Sequence, residues 1–307
     1  MEIGIIGLGT MGNALAYRLI QAQHKVFGFD VQSSARDALQ KIDGIPVQNI
    51  KELAGQTNLF WIMVPAGKLV DDVLQELQQY LKPGAIIIDG GNSKWTDSVR
   101  RAQQLSAKNI EFLDCGTSGG LQGRELGFSL MIGGKQEIYA KMQPIFKALA
   151  APNSYAHVGP HGAGHYVKMI HNGIEYALLQ SYAEGFQILK QGSYKDLDLE
   201  QISGVWQQAA IIRSYILDLA HEVFKKDQNF EDISGAVNQT GMGLWTVEEA
   251  QKNNIPATLI KDALAIRDQS QKTGGSYATK LVALLRHQFG GHAVTKNTSQ
   301  KSESEKN

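Results

Sequence analysis

Lysine, histidine, asparagine, glutamate and tyrosine recur at helical spacing in one short stretch, Lys168-Met169-Ile170-His171-Asn172-Gly173-Ile174-Glu175-Tyr176. At about 100° per residue, Lys168, His171, Asn172, Glu175 and Tyr176 fall inside one arc of roughly 140°. A lysine and a carboxylate on one helix face can serve as base and acid, provided that desolvation or nearby positive charge lowers the lysine pKa from about 10.4. The imidazole, amide and phenol beside them suit a polar substrate. Val167, Ile170, Ile174, Ala177 and Leu178 occupy the opposite arc, and amphipathicity assigns that side to the core. A helix with a merely solvated polar face has the same periodicity. Two features speak against it. His, Asn and Tyr are poor helix-surface residues, and Gly173 costs about 1 kcal/mol against alanine in a helix interior, which is easier to understand where something packs close.

A second constellation is Gly7-Leu8-Gly9-Thr10-Met11-Gly12, directly after the apolar run Ile3 to Ile6 and ahead of the helix-like Asn13 to Gln21. In G-x-G-x-x-G the first glycine permits a tight turn, the second lets backbone approach a pyrophosphate, and the third lets helix and strand pack closely. The phosphates then sit at the positive end of the helix. Asp30 ends the next apolar run, Val26 to Phe29, at the distance where an acid grips ribose hydroxyls. The plainer alternative is glycines that only shape a turn and a solvated strand-end carboxylate.

The elements that must position these groups follow from texture. Ile3 to Ile6, Val26 to Phe29, Leu59 to Val64, Ile86 to Ile88, Phe112 to Leu113 and Leu130 to Ile132 are short apolar runs separated by amphipathic stretches. That alternation predicts an α/β fold, an N-terminal Rossmann-type doubly wound sheet with both faces covered. After Gly164 the periodicity is helical through about Phe289, so an all-α C-terminal domain is expected. The turn formers Asn153, Gly159, Pro160, Gly162 and Gly164 place the boundary near residues 155 to 163. The expected division is a dinucleotide-binding domain over 1–160, a helical substrate and dimerisation domain over 161–295, and a disordered polar tail over 296–307. Lys plus Arg equals Asp plus Glu, 30 each, so no global field draws in nucleic acid or an anionic membrane, and any anion needs a local cationic cluster. Cys115 is the only cysteine, which excludes an internal disulfide and suits a reducing compartment. With neither a leader pattern nor a run of roughly 20 apolar residues, a cytoplasmic enzyme is expected. No spaced ligand set for a metal stands in the sequence.

The lysine helix resembles the catalytic helix of the 6-phosphogluconate dehydrogenases. Other blocks similar to that family stand in order: the glycine loop, Asp89-Gly90-Gly91-Asn92-Ser93, Gly116-Thr117-Ser118-Gly119-Gly120, and Leu285-Arg286-His287-Gln288-Phe289-Gly290-Gly291-His292. The resemblance implies that Lys168 is the general base at a C3 hydroxyl and Glu175 the general acid. It implies that Ser118, Gly119, Gly120, His171 and Asn172 hold the sugar acid, with Tyr176 and Arg267 near its phosphate. Asn92 would lie between nicotinamide and substrate, and Gly7, Leu8, Gly9, Thr10, Met11, Gly12, Asp30 and Val64 would contact the cofactor. Two departures matter. The chain looks like the family's short branch, and Asp30 stands where long members carry N-R-T for a 2′-phosphate, so NAD is expected over NADP. Ser33, Ser34 and Arg36 leave room for some NADP use.

The family's terminal block reaches into the partner subunit, which implies a homodimer whose sites are each completed by Arg286 and His292 of the other chain. Taken alone, Arg286 could equally decorate a terminal helix, with His292 in a frayed end. Two rival functions keep parts of the pattern. A 3-hydroxyisobutyrate-type dehydrogenase shares the glycine loop, the S-G-G loop and the lysine helix, but typically has K-x-x-N-N and needs no phosphate site. A catalytically silent nucleotide-binding regulator would keep the fold without needing Lys168 and Glu175.

Overall fold

The computed structural model describes residues 1–296. The expected tail therefore lies outside the described residues except for Lys296, which forms an antiparallel bridge with Ile233. Strand and helix alternate through the first half: β1 (Glu2–Ile6), α1 (Thr10–Gln21), β2 (Lys25–Phe29), α2 (Ser33–Gln40), β3 (Ile45–Pro46), α3 (Ile50–Gln56), β4 (Leu59–Ile62) and α4 (Lys68–Leu77). There follow β5 (Ile86–Asp89), α5 (Trp95–Ser106), β6 (Glu111–Ser118), the short α6 (Gly123–Leu126), β7 (Phe128–Gly134), α7 (Gln136–Leu149) and β8 (Ala150–Gly159).

One sheet holds all eight strands in the order β3-β2-β1-β4-β5-β6-β7-β8. Its first six are parallel in the doubly wound Rossmann order, as the alternating texture predicts. β7 then runs antiparallel to β6, and β8 parallel to β7. Successive residues go to opposite faces. Ile5, Trp61, Ile86 and Ile88 join the core beneath α1 and α7, whereas Ile6, Phe60, Ile62 and Ile87 join the core beneath α3, α4 and α5. That two-sided burial is why these runs are apolar at nearly every position.

Three departures from the sequence reading have physical reasons. β3 is two residues long and ends in proline, too short to leave a pattern. β8 occupies much of the stretch expected to be a turn-rich linker. It is an edge strand, mostly exposed or half-buried, so it carries no apolar run. β6 continues through Asp114-Cys115-Gly116-Thr117-Ser118, polar and small residues that do not read as strand.

From α8 (Ala163–Gln191) onward all named elements are helices: α9 (Leu199–Ala209), α10 (Tyr215–Phe224), α11 (Met242–Lys252), α12 (Thr258–Thr273) and α13 (Tyr277–Gly290). Two compact units result, Met1–His171 and the chain from Asn172, and the division falls inside α8. The second unit has its own core, with Leu179, Phe186, Leu217, Phe224, Leu281 and Leu285 buried together. Gly274 and Gly275, both at positive φ, join α12 to α13, and a Ser276–Thr279 capping box starts α13.

Candidate active site

The glycine loop divides its labour among its three glycines. Gly7 has φ +94°, and a Cβ there would meet the Met63 carbonyl at 2.6 Å. A Cβ on Gly12 would collide with the Gly7 carbonyl. Both are required by the chain's own packing. Gly9 is not, since a Cβ there would meet nothing within 4 Å, so its openness is room for something else. Helix α1 begins at that point with no acidic residue in its first turn and no side-chain cap. Its first N–H groups are thus available to an anion. Asp30 is tied back to the loop, its two carboxylate oxygens accepting from Leu8 N at 2.8 Å and Gln32 N at 2.9 Å. Arg36 donates to the Asp30 carbonyl at 2.6 Å. A cleft of about 390 Å³ lies over the loop, lined by Leu8, Gly9, Thr10, Met11, Gly120 and Arg124 among others. Open glycine, uncapped helix end, oriented carboxylate and cleft fit the pyrophosphate and ribose of a dinucleotide.

A second loop follows β5. Asp89 is fully buried and accepts from Gly91 N at 3.1 Å and from the Ser93 hydroxyl at 2.7 Å. Arg101 on α5, also fully buried, donates to Ser93 at 3.1 Å and pairs with Asp89 at 3.4 Å. The same guanidinium donates to Asp71 at 2.8 Å and to the Gly67 carbonyl at 3.0 Å. Asn92 stands exposed on a loop held at its base by these bonds. Val64 is half-buried just beyond β4, beside Gly7.

Ser118 ends β6, and Gly119 and Gly120 continue at positive φ. The Ser118 hydroxyl and His171 Nε2 are hydrogen bonded at 3.3 Å, so two of the expected substrate-holding groups meet. The start of α8 is fixed by Asp114. This buried carboxylate accepts from Gly162 N at 2.6 Å and from His165 N at 2.9 Å. A Cβ on Gly116 would collide with the Lys168 Cβ, so glycine there lets the lysine stem lie directly on the strand. Lys168 is only 6 % exposed. His165, one turn earlier, bonds to the Ser98 hydroxyl through Nδ1 at 2.7 Å, while its Nε2 is buried with no partner.

The facing of α8 departs from the expectation. Val167, Ile174 and Leu178 of the apolar arc are exposed, whereas Lys168 and Tyr176 of the polar arc are buried, Asn172 and Glu175 half-buried and His171 exposed. Periodicity identified two faces correctly but not which one the rest of the chain covers. Gly173 has its packing reason: a Cβ there would meet Thr246 of α11 at 2.6 Å.

In the second unit, Arg267 on α12 is 2 % exposed and lies over the Tyr176 ring at 3.4 Å from its centroid. Its Nη1 and Nη2 are buried with no hydrogen-bond partner. Burial pulls its pKa down to about 10, with Arg286 adding to the fall and Tyr176 and Glu175 opposing it. Arg286 on α13 is likewise buried, and burial lowers its pKa. His292 is pulled below its ordinary value by burial first, then by Arg286 and Arg267. Gly291, at φ +64°, turns the chain after α13 so that His292 comes back to this group. Buried guanidinium donors without acceptors are costly, and an anion accepting from Arg267 would relieve that cost.

Arg286 and His292 share the electrostatic surroundings of Arg267, and α13 belongs to the second unit's core.

Comparison with known families gives two matches: the NAD binding domain of 6-phosphogluconate dehydrogenase over residues 2–159, and the 6-phosphogluconate dehydrogenase C-terminal domain over residues 164–305. The chain belongs to the 6-phosphogluconate dehydrogenase family. An NAD(+)-dependent, decarboxylating 6-phosphogluconate dehydrogenase from Haloferax volcanii is 42 % identical over 301 residues, covering 96 % of this chain and 99 % of that protein. A longer one from Bacillus subtilis is 36 % identical over 87 % of this chain and 60 % of its own length. The Plasmodium falciparum 6-phosphogluconate dehydrogenase structure superposes with a TM-score of 0.81 at 28 % identity, covering 89 % of this chain and 62 % of that one. A 3-hydroxyisobutyrate dehydrogenase from Salmonella typhimurium gives 0.77 at 20 % identity over 92 % of this chain and 99 % of that one, a likeness of fold.

Within this 6-phosphogluconate dehydrogenase chain, the sequence reading missed Asp89, Arg101 and Asp114, which hold the loops and the helix start. Asp89 was visible inside the D-G-G-N-S block. Arg101 was not, since nothing local separates it from the surface arginine Arg100. Among the described residues no group of three or more His, Cys, Asp or Glu side chains is placed to hold a metal. No helix among them is long and apolar enough to cross a membrane.

Proposed function

We infer that the chain oxidises and decarboxylates 6-phosphogluconate to ribulose 5-phosphate and carbon dioxide while reducing a nicotinamide dinucleotide. The carrying observation is buried Arg267, whose unpartnered Nη1 and Nη2 fit a phosphate, with the buried Arg286 guanidinium close enough to lower its pKa. Residues 1–160 serve as the dinucleotide domain and 161–295 as the substrate and dimerisation domain. When bound, the nicotinamide supplies the acceptor for the C3 hydride. Lys168 takes the C3 hydroxyl proton. The resulting 3-keto acid loses its carboxyl group as carbon dioxide, because the electrons left behind flow into the ketone, and protonated Lys168 donates to the developing enolate oxygen. Glu175, on the same continuous helix, then gives a proton to C1 of the product enediol. Ser118, Gly119, Gly120, His171 and Asn172 hold the sugar acid, Tyr176, Arg267, Arg286 and His292 its phosphate end, and Asn92 lies at the nicotinamide.

NAD is the preferred cofactor. Each Asp30 oxygen already accepts one backbone N–H and has lone pairs left for ribose hydroxyls, while a 2′-phosphate would meet the carboxylate. Arg36 supports weaker NADP use. The assembly is a homodimer through the outer face of α8. Val167, Ile174, Leu178 and Ile188 are exposed there, and on the same face a Cβ on Gly185 would meet nothing within 4 Å, so a second helix can approach.

The function is tested by supplying 6-phosphogluconate and 3-hydroxyisobutyrate separately with NAD and with NADP. Reduction of NAD with the phosphorylated acid and none with the other is expected. The reverse pattern would favour the 3-hydroxyacid reading, and no reduction with any pair would favour a silent regulator.

A further inference from the structure

We propose that Arg124 is a cofactor-binding residue, a guanidinium that meets the pyrophosphate of the dinucleotide at the glycine loop. Arg124 belongs to α6, the short helix after the Ser118-Gly119-Gly120 loop, and forms one wall of the cleft whose other walls are Leu8, Gly9, Thr10 and Met11. Its guanidinium is fixed by two contacts with α1: it stacks on the Tyr17 ring at 4.1 Å from the centroid and donates through Nη1 to Asn13 Oδ1 at 3.2 Å. The backbone beneath it is fixed as well. Arg18 of α1 donates to the Arg124 carbonyl at 3.3 Å, the Glu125 carbonyl at 3.2 Å and the Leu149 carbonyl at 2.9 Å. A planar charge is thus held beside the open N-terminus of α1.

Arg124 has capacity left for an anion. Its acidic neighbour, Glu125, is 3.5 Å away and largely exposed, and a guanidinium has five N–H donors. The bond from Arg124 also turns the Asn13 amide so that Oδ1 faces the guanidinium, and Asn13 Nδ2 is left buried without a partner. A pyrophosphate oxygen is the acceptor both groups lack. The glycine loop offers only backbone dipoles, and a fixed cation beside it adds a charge-assisted bond.

The proposal rests on dinucleotide use, so its test separates the two. Binding of NAD, ADP and adenosine is measured by calorimetry for the wild type, Arg124→Ala and Arg124→Lys. Arg124→Ala should weaken NAD and ADP roughly tenfold to a hundredfold, the worth of a bond to a charged group, and leave adenosine unchanged. Arg124→Lys should recover part of the loss. Equal weakening of adenosine would show that Arg124 only props the loop, and unchanged ADP binding would show that it meets no phosphate. Either result overturns the proposal. Failure of the wild type to bind NAD or ADP would overturn the dinucleotide reading, and this proposal with it.

Discussion

His292 illustrates how a single residue reports its surroundings. Burial and two neighbouring guanidiniums lower its pKa, so the folded chain favours the neutral ring. A base with a depressed folded pKa contributes stability that is complete above its unfolded value near 6.5 and is lost as pH falls below it. Melting temperature should therefore drop more steeply between about pH 7 and about pH 5 in the wild type than in His292→Gln. Parallel curves would mean that His292 is neither buried nor set beside Arg267 and Arg286. At Asp30, substitution by alanine should shrink the preference for NAD over NADP, read as the ratio of kcat/KM values. An unchanged ratio would remove Asp30 from the ribose. These residues were legible because their types are unusual for where they stand: an acid at a strand end after a glycine loop, and His, Asn and Tyr on a helix that solvent alone would have filled with Lys and Glu.

Elements were legible where burial is two-sided and lost where it is not. The six apolar runs became β1, β2, β4, β5, β6 and β7, whereas β8 at the sheet edge left no hydrophobic signature. Helix α8 was evident from its period, but a period cannot say which residues are covered, and Lys168 and Tyr176 of the polar face proved buried while His171 is exposed. The ties that hold loops were the least visible, because Arg101 and Asp89 are twelve residues apart and a charged residue in sequence looks like surface until its partners are known. Removing one partner of a buried pair strands the other charge, at a cost of about 3–5 kcal/mol. Arg101→Met should lower unfolding stability by about that amount and, because it releases the loop bearing Asn92, reduce kcat in the protein that still folds. Wild-type stability in that variant would show that Asp89 is held adequately by Ser93 and Gly91 alone.

At the scale of the molecule, assembly is legible only through resemblance. With Arg286 and His292 completing the partner's site, as the terminal block implies, mixing a Lys168→Ala chain with an Arg286→Ala chain should restore part of the activity once subunit exchange is demonstrated, because one site of a mixed dimer keeps both residues. Absence of any recovery would mean that the terminal block serves its own chain. The α8 face should still pair two chains, so Ile174→Glu is expected to shift the mass measured by light scattering from dimer to monomer, and an unchanged mass would place the interface elsewhere. Above both stands the reaction itself. The most direct measurement follows reduced nicotinamide and labelled carbon dioxide together, starting from 6-phosphogluconate labelled at C1, with the wild type and Lys168→Ala. Equimolar release of both by the wild type and near-complete loss of both in a folded Lys168→Ala are the predicted result. Nicotinamide reduction without labelled carbon dioxide, or wild-type rates without Lys168, would contradict it.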